Sequence, residues 1–228
     1  MTVLLFGKGL QRIAEKEGGM GKKLFWFAVW GIVFGYMEAA VVVYLRAVYY
    51  PEGFSFPLKL IAGPILWTEV GREAATLAIM AATVVLAYRR LQSRMAAFML
   101  LFGVWDIFYY LFLKLILGWP QHLDTWDILF LIPAPWAGPV WAPVLVSVAF
   151  IAAGTAVLTR NGRKEYPCFG RGFVLSEVSA GVMIVASFLL SGRNVTVTGL
   201  PEPFAWPLFA AGLLLGCVAF LLGFRRKS

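Results

Sequence analysis

Carboxyl groups inside long apolar runs are the residues of this sequence best placed to do chemistry. Glu38, Glu73 and Asp106 each interrupt a run of more than 20 mostly apolar residues. In a membrane, such groups face the interior of a helix bundle or a water-filled cavity, because a carboxylate in hydrocarbon is costly. There they bind protons, bind cations or pair with basic side chains. Glu38 has no basic neighbour in the sequence, so it needs a partner on another helix or a proton.

A second group of charges lies around Glu73. Glu69, Arg72 and Glu73 follow one another at helical spacing and form one polar stripe that continues to Thr76. The two carboxylates are about 6 Å apart at Cβ, so they repel each other in a medium of low dielectric. Arg72 is adjacent and could neutralise one of them. The structural alternative is an ion pair between Glu69 and Arg72 near the membrane interface.

Asp106 begins a further polar stripe. Tyr109 and Tyr110 follow at i+3 and i+4, and Lys114 lies one turn beyond Tyr110. The structural alternative is that Asp106 pairs with Lys114, although a lysine two turns away can also extend toward the interface. The tyrosine rings are typical packing residues whose hydroxyl groups find a partner when buried.

The segment 118–143 is too apolar for a solvated loop and too rich in proline for a continuous helix. Its pattern predicts a short helix over 127–132 and a kinked start of the following span. The segment either dips into the protein as a re-entrant cap or lies flat at the interface, because irregular backbone at membrane depth must be covered by protein or line a cavity. As a cap, it would bring Asp127, Asp124 and His122 over the Glu69–Glu73 stripe.

Composition places the chain in a membrane. Of its 228 residues, 61% are hydrophobic and 14% charged, against roughly 45–50% and 25% in soluble domains. The net charge of +8 is spread in short basic groups between apolar runs, a pattern that favours topology signals over nucleic-acid binding. A single histidine excludes a bis-histidine haem within this chain. Motifs for nucleotide binding, serine hydrolysis or zinc proteolysis are absent from the sequence.

Six runs are long enough to span a bilayer, which requires about 20 apolar residues each. The sequence therefore predicts an all-α, polytopic membrane protein that forms one domain over residues 1–228. The predicted spans are 24–48, 64–88, 95–117, 139–158, 173–190 and 204–224.

The basic residues predict the orientation of these spans. With the N-terminus in the cytoplasm, 15 of the 20 lysines and arginines fall on the cytoplasmic side, as the positive-inside rule requires. We therefore expect both termini inside, in a cytoplasmic membrane of prokaryotic type. Residues 1–23 are expected to be cytoplasmic without a cleaved signal. Within them, 3–17 form either an interfacial amphipathic helix or a solvated tail.

The acids of the first three spans come to a similar depth. At 1.5 Å per residue, Glu38, Glu73 and Asp106 each lie about 13–16 Å from the outer end of their span, near the middle of a core about 30 Å thick. This predicts one polar site in the outer half of the bundle, built from spans one to three and covered by the segment 118–143. The candidate substrate- or ion-binding residues are Glu38, Glu69, Arg72, Glu73, Asp106, Tyr110, Lys114 and Asp127.

Three functions fit such a site, and no catalytic residue or cofactor is identified. The leading hypothesis is proton- or cation-coupled transport. The alternative is an accessory or scaffold subunit whose buried charges hold its own helices, a membrane-protein partner or a second copy together. The third is a metal site, with an enzymatic role, whose candidate ligands are Glu38, Glu73, Asp106 and His122. A di-iron bundle is disfavoured because the chain has no Glu-x-x-His pair.

Overall fold

The computed structural model describes residues 19–59 and 63–225, so the expected amphipathic segment 3–17 lies outside it. The described chain is mostly helical, and six of its helices are long and apolar enough to cross a membrane. Each predicted span corresponds to one of these six helices, with bounds that agree to within four residues. The helices are α1 Met20–Tyr49, α2 Pro64–Ala87, α3 Leu91–Leu117, α4 Trp141–Gly162, α5 Arg171–Gly192, the short α6 Val195–Thr198, and α7 Trp206–Arg225.

A β-hairpin connects α3 and α4. Strand β1 (Trp126–Phe130) pairs antiparallel with β2 (Trp136–Pro139), so the predicted short helix over 127–132 is wrong. Isoleucine, phenylalanine and tryptophan favour a strand here, and Pro133 and Pro135 interrupt any helix that would continue. The backbone hydrogen bonds are instead satisfied between the strands.

Close contacts at glycines hold α1, α3 and α4 together. A Cβ at Gly31 would meet Val104, and one at Gly35 would lie 2.8 Å from the carbonyl oxygen of Trp105. Gly103 approaches the backbone of Ser147 on α4 equally closely. Gly31 and Gly35 therefore let α1 approach α3 closely. On the far side of the bundle, α5 packs against α7 and β2.

Helix α2 lies at the edge of the bundle and has a single buried stripe. That stripe is polar toward the start of the helix and apolar toward its end: Glu69, Glu73, Thr76, Met80 and Val84. The spacing of three and four residues places all five on one face. The apolar half of the stripe packs beside α3. Because the helix is rigid, the polar half then lies against α1 and α3.

The hairpin shares one end of the bundle with two other connecting segments. The amide of Leu58, after α1, donates to the carbonyl oxygen of Gly199, after α6, at 2.7 Å. The phenol of Tyr50 accepts from the amide of Lys59 at 2.7 Å. We call this end the hairpin side; α1, α3 and α5 end there, and α2, α4 and α7 begin there.

Candidate functional site

A cavity of about 170 Å³ lies between α1, α2, α3 and the first strand of the hairpin. Five carboxyl groups and two guanidinium groups line it together with aromatic rings. Of the eight binding residues that the sequence predicts, seven border this cavity: Glu38, Glu69, Arg72, Glu73, Asp106, Tyr110 and Asp127. The polar stripes of three helices therefore face one space.

Arg72 joins the acids of α1 and α2. Its guanidinium group forms ion pairs with Glu38 and with Glu69, the latter at 2.9 Å. Thr76, one turn along α2, donates its hydroxyl proton to Glu38. Glu38 is buried. Its charged partner lies on α2, because no basic residue is near it in the sequence. The ion pair expected between Glu69 and Arg72 is present, but Arg72 also crosses to α1.

Glu73 contacts the backbone of the hairpin. Its Oε2 accepts a hydrogen bond from the amide of Leu131 at 2.8 Å, directly after β1. Within the described residues, no lysine or arginine side chain lies within ion-pair distance of Glu73. The helix predicted at 127–132 would have used this amide internally, so this contact depends on the hairpin.

Asp106 is buried in the centre of the bundle and hydrogen-bonds across to α4. The hydroxyl of Ser147 donates to Asp106 Oδ2 at 2.7 Å. The alternative pair with Lys114 does not form, because Nζ of Lys114 donates to the carbonyl oxygen of Pro120 at 2.8 Å. Lys114 is exposed, does not line the cavity and caps the end of α3 instead.

Arg46 and Asp127 form a second ion pair at the hairpin side of the cavity. Nη2 of Arg46 lies 3.4 Å from Asp127 Oδ1, and the hydroxyl of Tyr110 donates to Oδ2 at 3.3 Å. The guanidinium group of Arg46 lies between two rings, 3.6 Å from the centroid of Trp119 and 4.4 Å from that of Phe54. Burial raises the pKa of Asp127 to about 6, although the charge of Arg46 opposes the shift.

The sequence interpretation missed Arg46 and Ser147. For Arg46 a signal existed, because it follows Ala39 by seven residues and so continues the stripe of Gly31, Gly35 and Ala39 that packs on α3. For Ser147, a lone serine in an apolar run is too common a pattern to indicate a site. The contact of the Leu131 amide could not be predicted, because a helix at 127–132 would have used that amide in its own hydrogen bonds.

Three of the four candidate metal ligands, Glu38, Glu73 and Asp106, border the cavity, but they do not form a metal-binding cluster. His122 is exposed and lies outside the residues that line the cavity. Across residues 19–59 and 63–225, no three histidine, cysteine, aspartate or glutamate side chains cluster closely enough to share a metal ion. The carboxylates instead form ion pairs with guanidinium groups and accept hydrogen bonds from hydroxyl and amide groups.

Fold and cavity together define a class: a multi-pass helical membrane protein with a charged cavity inside its bundle. The chain matches no family model, no curated protein and no solved structure. The function therefore has to be inferred from the geometry of the cavity.

Proposed function

We propose that the protein binds protons or small cations in this cavity and carries them across the membrane. The observation that supports the proposal is a charge imbalance. Among the described residues, five carboxyl groups and two guanidinium groups border the cavity, which leaves three carboxyl groups in excess. A buried carboxylate without a compensating charge costs several kcal/mol. Binding a proton or a cation removes that cost.

Glu73 and Asp106 are the residues we propose to carry the ion. The other three acids of the cavity lie in ion pairs with Arg72 or Arg46. Glu73 and Asp106 accept hydrogen bonds from an amide and from a hydroxyl group, both neutral donors. In this proposal the two arginines position the neighbouring acids, and the ion supplies the remaining positive charge.

The orientation and extent of the chain are part of the same proposal. The groups of basic residues favour a hairpin side that faces outward and two termini in the cytoplasm, in a cytoplasmic membrane of prokaryotic type. The cavity then lies in the outer half of the bilayer. The hairpin covers it from outside, and residues 1–228 act as one transmembrane unit.

The test is ion flux into liposomes that contain the purified protein. Gradients of H⁺, Na⁺, K⁺ and methylammonium are imposed one at a time, and flux is measured for the wild type, Glu73→Gln and Asp106→Asn. Because the carboxylates bind the ion, the flux of both variants should be lower than that of the wild type by a factor of about ten or more. The matched control is Glu177→Gln, an acid on α5 that does not line the cavity.

Equal flux in the wild type and both variants would contradict the proposal, as would a wild type that carries none of the four ions. Thermal unfolding of each variant shows whether a lost flux reflects a lost fold. Because a ligand that binds only the native state stabilises it, the transported cation should also raise the unfolding temperature of the wild type but not that of Glu73→Gln.

The second candidate is an accessory subunit of a membrane complex, which one observation favours. Helix α2 lies at the edge of the bundle, joined to α1 by the charged contacts of Arg72, and exposes large apolar side chains such as Trp67, Ile79 and Leu86. A protein partner could cover that face as well as lipid does. If the charges only hold helices together, the reversed pair Glu38→Arg with Arg72→Glu should keep function, and a partner should copurify in mild detergent.

A further inference from the structure

A second pocket adjoins the charged cavity at the hairpin side. It is an open pocket of about 490 Å³, and the connecting segments after α1, α3 and α6 line it together with the start of β1. Four of its lining residues are aromatic, namely Phe54, Phe56, Trp119 and Trp126. Glu202 is the charged residue among them, and none of the described residues that line the pocket is basic.

These groups suit a positively charged ligand. The face of an aromatic ring attracts a cation, most strongly when water is excluded, and quaternary ammonium ions are recognised in this way. Glu202 adds a carboxylate that is held in place, because its amide donates to the carbonyl oxygen of Ser191 at 2.8 Å and its side chain accepts from Asn194. Two of the rings, Phe54 and Trp119, already hold one guanidinium group, that of Arg46.

The two pockets meet at a thin partition. Phe54 lines both of them, whereas Arg46 lines only the inner cavity and Trp119 only the second pocket. The centroids of the two rings are 5.8 Å apart, with the guanidinium group against both. Asp127 holds Arg46 from the cavity side. Moving Phe54 aside would therefore join the two spaces.

We propose that the second pocket is the access site for the transported ion: it binds a small ammonium-type cation, which enters the inner cavity when the Phe54–Arg46–Trp119 partition opens. This inference rests on the proposed function for the direction of movement and for the acid-rich destination. It adds a binding site, a class of ligand and a route.

The experiment measures how fast single cysteines react with thiol reagents. In a background with Cys168→Ser and Cys217→Ser, one variant carries Ser55→Cys, in the second pocket, and another carries Val42→Cys, in the inner cavity. The probes are a trimethylammonium-bearing methanethiosulfonate and its sulfonate analogue. Each variant is tested alone and combined with Phe54→Ala or Trp119→Ala.

We expect the Ser55→Cys variant to react quickly throughout, because that position is exposed. The Val42→Cys variant should react slowly while the partition is intact. When Phe54→Ala removes the partition, its reaction with the cationic reagent should be about ten-fold or more faster, since labelling follows the population of the open form. The rate of reaction with the sulfonate reagent should increase much less. Phe112→Ala, which truncates an aromatic ring of α3 that lines neither pocket, is the control for general loosening.

Three results would overturn the inference. The first is an unchanged rate at position 42 in both partition variants, which would mean that the route lies elsewhere. The second is an equal acceleration by Phe112→Ala, and the third is an equal gain for the two reagents. Labelling does not depend on flux, so a protein that carries no ion but shows the expected labelling would lose the proposed transport function and keep the pocket and partition.

Discussion

The acids of the cavity differ in the groups that they contact, and this difference predicts how each substitution changes stability. Glu38, Glu69 and Asp127 face guanidinium groups, whereas Asp106 is held by one neutral hydroxyl group. A buried carboxyl group depends heavily on a single donor, because removing the donor leaves the acceptor unsatisfied.

Ser147→Ala should therefore lower the free energy of unfolding by about 1–3 kcal/mol, measured by reversible denaturation in mixed detergent micelles. The matched control is Ser187→Ala on α5. Ser187 is equally buried, but its hydroxyl group donates to the carbonyl oxygen of Ile184 within its own helix. Equal losses in the two variants would mean that the contact with Asp106 adds nothing beyond the buried serine itself.

Asp127 should make stability depend on pH. Its pKa of about 6 in the folded protein lies above the ordinary value of 3.8, so the native state holds the proton more tightly than the unfolded state. The contribution of Asp127 to stability should consequently fall as the pH rises from about 4 to about 6, by about 3 kcal/mol. Asp127→Asn should remove this contribution, so that its stability falls less steeply than that of the wild type in unfolding experiments across the range.

The control for this pH dependence is Asp124→Asn, at an exposed position of the same segment. It should keep the wild-type curve. An Asp127→Asn variant whose stability falls as steeply as that of the wild type would contradict the prediction.

Helix pairing sets the distance between these side chains. Gly35 lies one turn before Glu38, where α1 touches the backbone of α3. The shape of the cavity between α1 and α3 thus depends on a residue that has no side chain. The same contact explains why Glu38 and Asp106, on different helices, face a common space.

Gly35→Ala should separate α1 from α3, because the new Cβ would lie 2.8 Å from the carbonyl oxygen of Trp105 and 3.1 Å from the amide nitrogen of Tyr109. We expect a loss of about 1–3 kcal/mol in stability, typical of overpacking, and reduced flux. Gly71→Ala on α2 is the matched control, since nothing lies within 4 Å of a Cβ there. Equal stability of the two variants would contradict the role of Gly35.

The orientation of the bundle decides which compartment the second pocket faces. Under the proposed topology, Asp124 is extracellular, and Cys168, in the segment between α4 and α5, is cytoplasmic. On intact cells, a membrane-impermeant maleimide should label an Asp124→Cys variant that carries Cys168→Ser and Cys217→Ser. It should label Cys168 of a Cys217→Ser variant only after the membrane is disrupted. The reverse pattern would place both termini outside.

Much of this organisation was predictable because it depends on local composition. The six helices follow from runs of apolar residues, and the polar stripe of α2 follows from the spacing of Glu69, Arg72 and Glu73 along one helix. Seven of the eight predicted residues border the same cavity: six face the side of their helix that packs on a neighbour, and Asp127 lies on strand β1. Lys114 does not border the cavity, because its long side chain reaches the carbonyl groups that end α3.

Sequence alone thus determined the six long helices and which acids lie deep within them, since both depend on residues near in the chain. Tertiary structure decided the partners: Arg72 with Glu38, Arg46 with Asp127, Ser147 with Asp106, and the hairpin amide with Glu73. Those contacts depend on how each helix is rotated against its neighbours. The hairpin depends in addition on a second strand, whose backbone groups satisfy those that a helix would have paired internally.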